Sequence, residues 1–395
     1  MNNLKLILPL IFTFVISACS SISTSQHAKT ENQPLKLPIN YNLFPAAKEE
    51  PLDEQDLFFL TLEQQKEFTL LFNNKIAEGY KPHKALSQVL SEKLANFTYY
   101  GETYDATTAM RLNKGNCMSL AILTTAYAKL IGLDFSYRKV STLPVYTQKN
   151  DIILSSSHVQ TLIYDPEFVT DDNYIYFSTP AVVIDYFPSK NNRKGKKFSY
   201  ETFLAMYYKN IAADALANQN LQKSFRYANT AYKLDSENVA TINLLAVIHR
   251  RAGDIETAEA IYKAGLKKED ISIYLLSNYI MLLKAQQRME EVDILQNELN
   301  KLDDPNPYQW LGEAYAAQKV GNTKQAEIYF RKALKNAPYL NQAYMGLYKI
   351  YAEQQKLNKA QAMLIKALEW TYELDERKLY KYKLYNIKEN IALNI

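Results

Sequence analysis

Lys114-Gly115-Asn116-Cys117-Met118-Ser119-Leu120-Ala121 is the stretch on which the fold turns. A glycine and an asparagine break the backbone, and the cysteine then opens a run of helical periodicity. Ala121, Leu123, Ala126, Tyr127, Leu130 and Ile131 recur at i, i+3 and i+4. Asn116 is placed to cap this helix and Gly132 to end it. Cys117 therefore falls in a first helical turn, where unpaired backbone N–H groups and the helix dipole favour a thiolate. That makes it a candidate nucleophile, with a buried structural cysteine as the alternative.

On the N-terminal side, residues 51–100 read as helical. Thr61-Leu62-Glu63-Gln64 fits a capping box ahead of Phe68, Leu71 and Phe72. Lys81-Pro82 starts a second helix with Leu86, Val89, Leu90, Leu94 and Phe97 along one side. A short helix is expected near Thr108–Leu112. On the C-terminal side the period changes from helical to strand-like. Phe135–Val140 alternates until Pro144 breaks it, and Ser157–Tyr164 alternates until the Asp165-Pro166 turn. Tyr174–Phe177 and Ala181–Phe187 are further β-branched and aromatic runs, closed by Pro188, Ser189 and a basic stretch over 190–197. Helices followed by an antiparallel sheet make an α+β domain over residues 51–200.

Residues 201–371 carry an internal repeat. Ser224, Ala258, Val292, Ala326 and Ala360 stand 34 residues apart, and Ala231, Gly265, Leu299, Ala333 and Ala367 keep the same phase seven residues later. Small residues at such points let the two helices of a hairpin approach closely. The pattern resembles the tetratricopeptide repeat, in four to five copies, with 372–395 as a C-terminal capping helix. The resemblance implies an all-α solenoid whose surface takes a peptide or protein partner.

The chain has 395 residues and a net charge of +4, too small and too diffuse for a nucleic-acid partner. Residues 1–18 read as a signal peptide, and Ile16-Ser17-Ala18-Cys19 resembles a bacterial lipobox. The resemblance implies lipidation at Cys19, with Ser20 directing the protein to the periplasmic face of the outer membrane, held by the lipid alone. Residues 19–50, rich in Ser, Thr, Gln, Asn and Pro, are expected to form a flexible tether. Of two cysteines, lipidation consumes one, so Cys117 becomes a lone thiol in an oxidising compartment.

A nucleophilic cysteine needs a base and an orienter for that base. Of four histidines, His27 lies in the tether, His83 in the first turn of a polar-faced helix, and His249 in a repeat helix. His158 alone begins a predicted strand in the domain of Cys117. Asp185 ends the Val182-Val183-Ile184 run, where an unpaired carboxylate is costly. Asp165 is its rival, explained locally by its turn.

Gly115-Asn116-Cys117-Met118-Ser119-Leu120-Ala121, the helix to Gly132-Leu133, Ser157-His158-Val159 and Val183-Ile184-Asp185-Tyr186 together resemble a bacterial transglutaminase-like domain, related to papain. The resemblance covers roughly residues 55–190. It implies an α+β papain/transglutaminase-like fold with Cys117 as nucleophile, His158 as general base and acid, and Asp185 as orienter, needing no cofactor or metal. Many members carry a tryptophan soon after the histidine, where this chain has Val159-Gln160. The implied chemistry is peptidase, amidase or transglutaminase-type acyl transfer on a peptide or protein substrate. The alternative is an inactive transglutaminase-like adaptor that works through its repeats.

Overall fold

The computed structural model describes residues 36–45, 51, 53–94, 97–99, 102–149, 152–171, 173, 176, 178–186, 193–268, 272–302, 306–371 and 374–393. The expected signal peptide, Cys19, His27, most of the expected tether and all but one residue of the Tyr174–Phe177 run lie outside the described residues.

Helices α1 (Glu54–Phe58), α2 (Leu62–Ala77) and α3 (Pro82–Leu94) come first. Thr61 caps α2 reciprocally: its hydroxyl accepts the Gln64 N–H at 3.2 Å, and Gln64 Oε1 accepts the Thr61 N–H at 3.0 Å. Two short parallel strands, β1 (Thr98–Tyr99) and β2 (Lys114–Gly115), flank α4 (Ala106–Leu112). Then comes α5 (Cys117–Leu130), capped by Asn116 Oδ1 on the Ser119 N–H at 3.1 Å. Every residue from Met118 to Ala128 is buried, so α5 has no solvent face. Tyr127 stacks on Phe68 of α2 with ring centres 3.9 Å apart, and the Thr125 hydroxyl meets that of Tyr137 at 2.7 Å.

The sheet is antiparallel, in the order β5 (Ala181–Asp185), β4 (Ile152–Tyr164), β3 (Phe135–Lys149), β6 (Arg193–Phe198). Pro144 does not end β3 as expected. The register on β4 instead shifts between Val140 and Val145, so the missing N–H is absorbed in an irregularity. Strand β6 is built from the basic stretch expected only to close the region. Its lysines and Gly195 are poor strand formers, but charge suits an edge that must not pair further.

Eleven helices follow among the described residues: α6 (Tyr200–Ala217), α7 (Leu221–Leu234), α8 (Val239–Arg251), α9 (Ile255–Gly265), α10 (Ile273–Ala285), α11 (Met289–Asn300), α12 (Pro307–Lys319), α13 (Thr323–Asn336), α14 (Asn341–Glu353), α15 (Leu357–Glu369) and α16 (Leu374–Leu393). They pack as successive hairpins in a tetratricopeptide-like solenoid, and α16 lays Tyr380 and Ile387 on the last pair. Ser224, Ala258, Val292, Ala326 and Ala360 are all buried. The Ser224 hydroxyl donates to the Ala212 carbonyl at 2.8 Å, the close helix approach that the 34-residue phase demands.

Helix α6 serves both halves. Phe203 stacks on Tyr137 of β3 with centres 3.8 Å apart and planes within 2°. The Tyr200 hydroxyl donates to Glu54 of α1 at 2.8 Å, beside Lys129 of α5, which reaches the same oxygen at 2.7 Å. Residues 36–45, expected within the tether, lie against the repeats. Phe44 stacks on Phe225 of α7 at 4.0 Å and meets His249 of α8 edge-on at 5.2 Å. Asn40 donates to Asp254, the cap of α9, at 2.9 Å, and the Leu37 N–H donates to the Tyr232 hydroxyl at 3.2 Å.

Candidate active site

Cys117 is the first residue of α5, half-buried, and its sulfur faces the backbone N–H groups of Met118, of Cys117 itself and of Val159. Burial is the largest influence and pushes the thiol up to about 11, against the pull of those donors. This reverses the direction expected from a first-turn position alone, because desolvation outweighs the helix terminus. The approach of the chain is fixed around it. Gly115 sits at φ +151°, where a Cβ would lie 2.6 Å from that of Ser119. The Asn116 N–H donates to the Glu102 carbonyl at 3.1 Å and its side chain to Thr103 Oγ1 at 2.7 Å. Ser119 Oγ accepts the Tyr104 N–H at 2.8 Å.

Strand β5 pairs with β4 only as far as Asp185 opposite Gln160. The next backbone donor on β4, the Val159 N–H, lies beyond that ladder on the side of the Cys117 sulfur and favours its thiolate. His158 precedes it and is buried; its Nε2 lies 2.6 Å from Asp185 Oδ1. A carboxylate only accepts, so Nε2 carries a proton and donates it to Asp185. The structure thus brings Cys117, His158 and Asp185 into one neighbourhood.

Two further residues complete the arrangement and escaped the sequence reading. Gln160 Nε2 donates to Asp185 Oδ2 at 2.7 Å, and Gln160 Oε1 accepts from Arg138 Nε at 3.2 Å and Nη2 at 2.8 Å. Arg138, Gln160 and Asp185 are direct cross-strand partners in one row across β3, β4 and β5. Alternation along β4 puts Gln160 on the face of His158, which is the one signal the sequence offered.

The rivals lie elsewhere. Asp165 pairs with Lys81 at 3.2 Å and stands 3.6 Å from His83 Nδ1. His83 is buried rather than on a polar face, and burial lowers its proton affinity. His249 is buried within the repeats, its Nδ1 at 2.9 Å from the Leu245 carbonyl.

The sequence matches no family model and no curated protein. Among solved structures it is similar to PilF of Pseudomonas aeruginosa, at 17% identity over 49% of this chain and 88% of that one, with a TM-score of 0.32. YrrB, a TPR protein described as having an unusual peptide-binding site, follows at 16% identity, 45% and 91% coverage and a TM-score of 0.24. MamA of Desulfovibrio magneticus shows 12% identity, 44% and 96% coverage and a TM-score of 0.25. None of the three reaches the similarity at which a fold is shared, and the description of the repeats stands on their own packing.

Proposed function

We propose that this chain is a thiol acyltransferase or amide hydrolase with Cys117 as nucleophile, His158 as base and Asp185 as orienter, on a papain/transglutaminase-like frame. The reading includes attachment to the periplasmic face of the outer membrane through a lipid on Cys19, and repeats that engage a peptide or protein partner. The observation that carries the chemistry is the His158–Asp185 contact at 2.6 Å, one residue from the N–H that faces the Cys117 sulfur.

With the thiol raised by burial, it rests protonated, so proton removal accompanies attack. The Cys117 S–H proton passes to His158 Nδ1 as the sulfur bonds to the carbonyl carbon of an amide. His158 then returns that proton to the departing amine, and the C–N bond breaks to leave a thioester. Water or a second amine, deprotonated by the same nitrogen, attacks the thioester and releases the thiol. The N–H groups of Cys117 and Val159 are the donors at hand for the oxyanion. Asp185 holds the imidazole in the tautomer that accepts at Nδ1.

A second reading, an inactive scaffold acting through the repeats, is favoured by the same raised thiol. Alkylation by iodoacetamide at pH 7 separates the two. Base assistance makes the native protein react at least tenfold faster than His158→Ala. Equal, slow rates in both would remove the enzyme reading and leave the scaffold.

A further inference from the structure

A crevice of about 270 Å³ lies between the 102–104 segment, the far end of β3 and the α6–α7 hairpin. Four charged side chains line it, two of each sign: Glu102, Asp214, Lys149 and Lys223. Glu102 takes the Tyr104 hydroxyl, and Lys223 lies 5.7 Å from the Tyr227 ring. Asp214 is half-buried and has no hydrogen-bond or ion-pair partner among the described residues; Lys149 and Lys223 act on it only from a distance. A carboxylate withdrawn from water without a bonded donor costs stability, and these charges surround open space instead of closing on each other. Their arrangement complements a ligand that brings both an ammonium and a carboxylate. The volume approaches the lower end of small-molecule sites, about 300 Å³, which suits a very short peptide and not a folded domain.

The crevice also adjoins the candidate active site. Asn116, the residue before Cys117, is hydrogen bonded to the Glu102 carbonyl at 3.1 Å and to Thr103 at 2.7 Å. One wall therefore belongs to the segment that fixes Cys117, and the opposite wall belongs to the first repeat hairpin.

We infer that this crevice binds a very short zwitterionic peptide whole, with its N-terminal ammonium on Asp214 and Glu102 and its C-terminal carboxylate on Lys149 and Lys223. That the peptide is a substrate presented to Cys117 rests on the acyl-transfer reading; that it binds does not. Calorimetric titration of the full chain tests the site, with tri-alanine against N-acetyl-tri-alanine amide as probes. Tri-alanine is expected to bind at least tenfold more tightly than the blocked peptide. Asp214→Asn and Lys223→Gln are each expected to weaken it at least fivefold.

Burial raises Asp214 to about 6, with Glu102 adding to the rise and the two lysines opposing it. Below that pH the carboxyl is neutral and loses its hold on an ammonium. Affinity for tri-alanine should therefore fall at least threefold from about pH 7.0 to 5.0, where the peptide's own termini stay charged, in the native chain and stay nearly flat in Asp214→Asn. Equal binding of both probes, or indifference to both substitutions, overturns the proposal. Cys117→Ala should bind tri-alanine as the native chain does. If it does while alkylation proves indifferent to His158, the crevice stands and acyl transfer falls.

Discussion

Gln160 is the residue on which the geometry of Asp185 depends. It occupies the second oxygen of the carboxylate at 2.7 Å and is itself held by Arg138, so the side chain that orients His158 cannot rotate. Gln160→Leu keeps the volume roughly and removes all three hydrogen bonds, leaving Arg138 and Asp185 short of a partner. The expected result is a loss of about 1–3 kcal/mol in stability by urea unfolding, and an alkylation rate for Cys117 at pH 7 about tenfold lower. A variant that unfolds earlier yet alkylates normally would show that Gln160 only supports the sheet. Residue type and position on an element single out Cys117, His158 and Asp185 as candidates, and the structure sets His158 against Asp185. Gln160 and Arg138 are not legible in this way, because alternation assigns a face but not the strand that lies alongside. The proton affinity of Cys117 was misjudged for a related reason: the helix terminus is visible in sequence, whereas the layer that buries it is not.

Elements with a local cause were read well, and those with a distant cause were not. The Thr61–Gln64 box and the Asn116 cap need only neighbours in sequence, and both form as expected. Strand β6 exists because β3 offers an edge, which nothing in its lysine-rich sequence announces. In the repeats, the glycines differ in a way that only packing reveals. A Cβ on Gly346 of α14 would enter the Phe330 ring of α13, whereas one on Gly312 of α12 would meet nothing within 4 Å. Gly346→Ala is expected to destabilise by about 1–3 kcal/mol through overpacking. Gly312→Ala is expected to stabilise by about 0.5–1 kcal/mol through helix propensity. Urea unfolding of the two variants checks both signs, and a neutral Gly346→Ala would mean that the α13–α14 contact yields freely.

At the scale of the molecule, the boundary expected near residue 200 divides two patterns of sequence but not two independent bodies. Tyr200 and Phe203 of α6 are built into the packing of α1, α5 and β3. A fragment ending at residue 199 loses the ring that covers Tyr137, worth about 3–5 kcal/mol for a buried aromatic. It is expected to melt without cooperativity by circular dichroism, while the full chain shows a sharp transition; a sharp transition in the fragment would restore the two-body view. The docking of residues 36–45 on α7, α8 and α9 has a mechanical consequence. Tension applied to the chain upstream of residue 36 meets the Phe44–Phe225 stack and the Asn40–Asp254 bond before it reaches α1. Those contacts act as a cleat that passes the load first to α7, α8 and the start of α9.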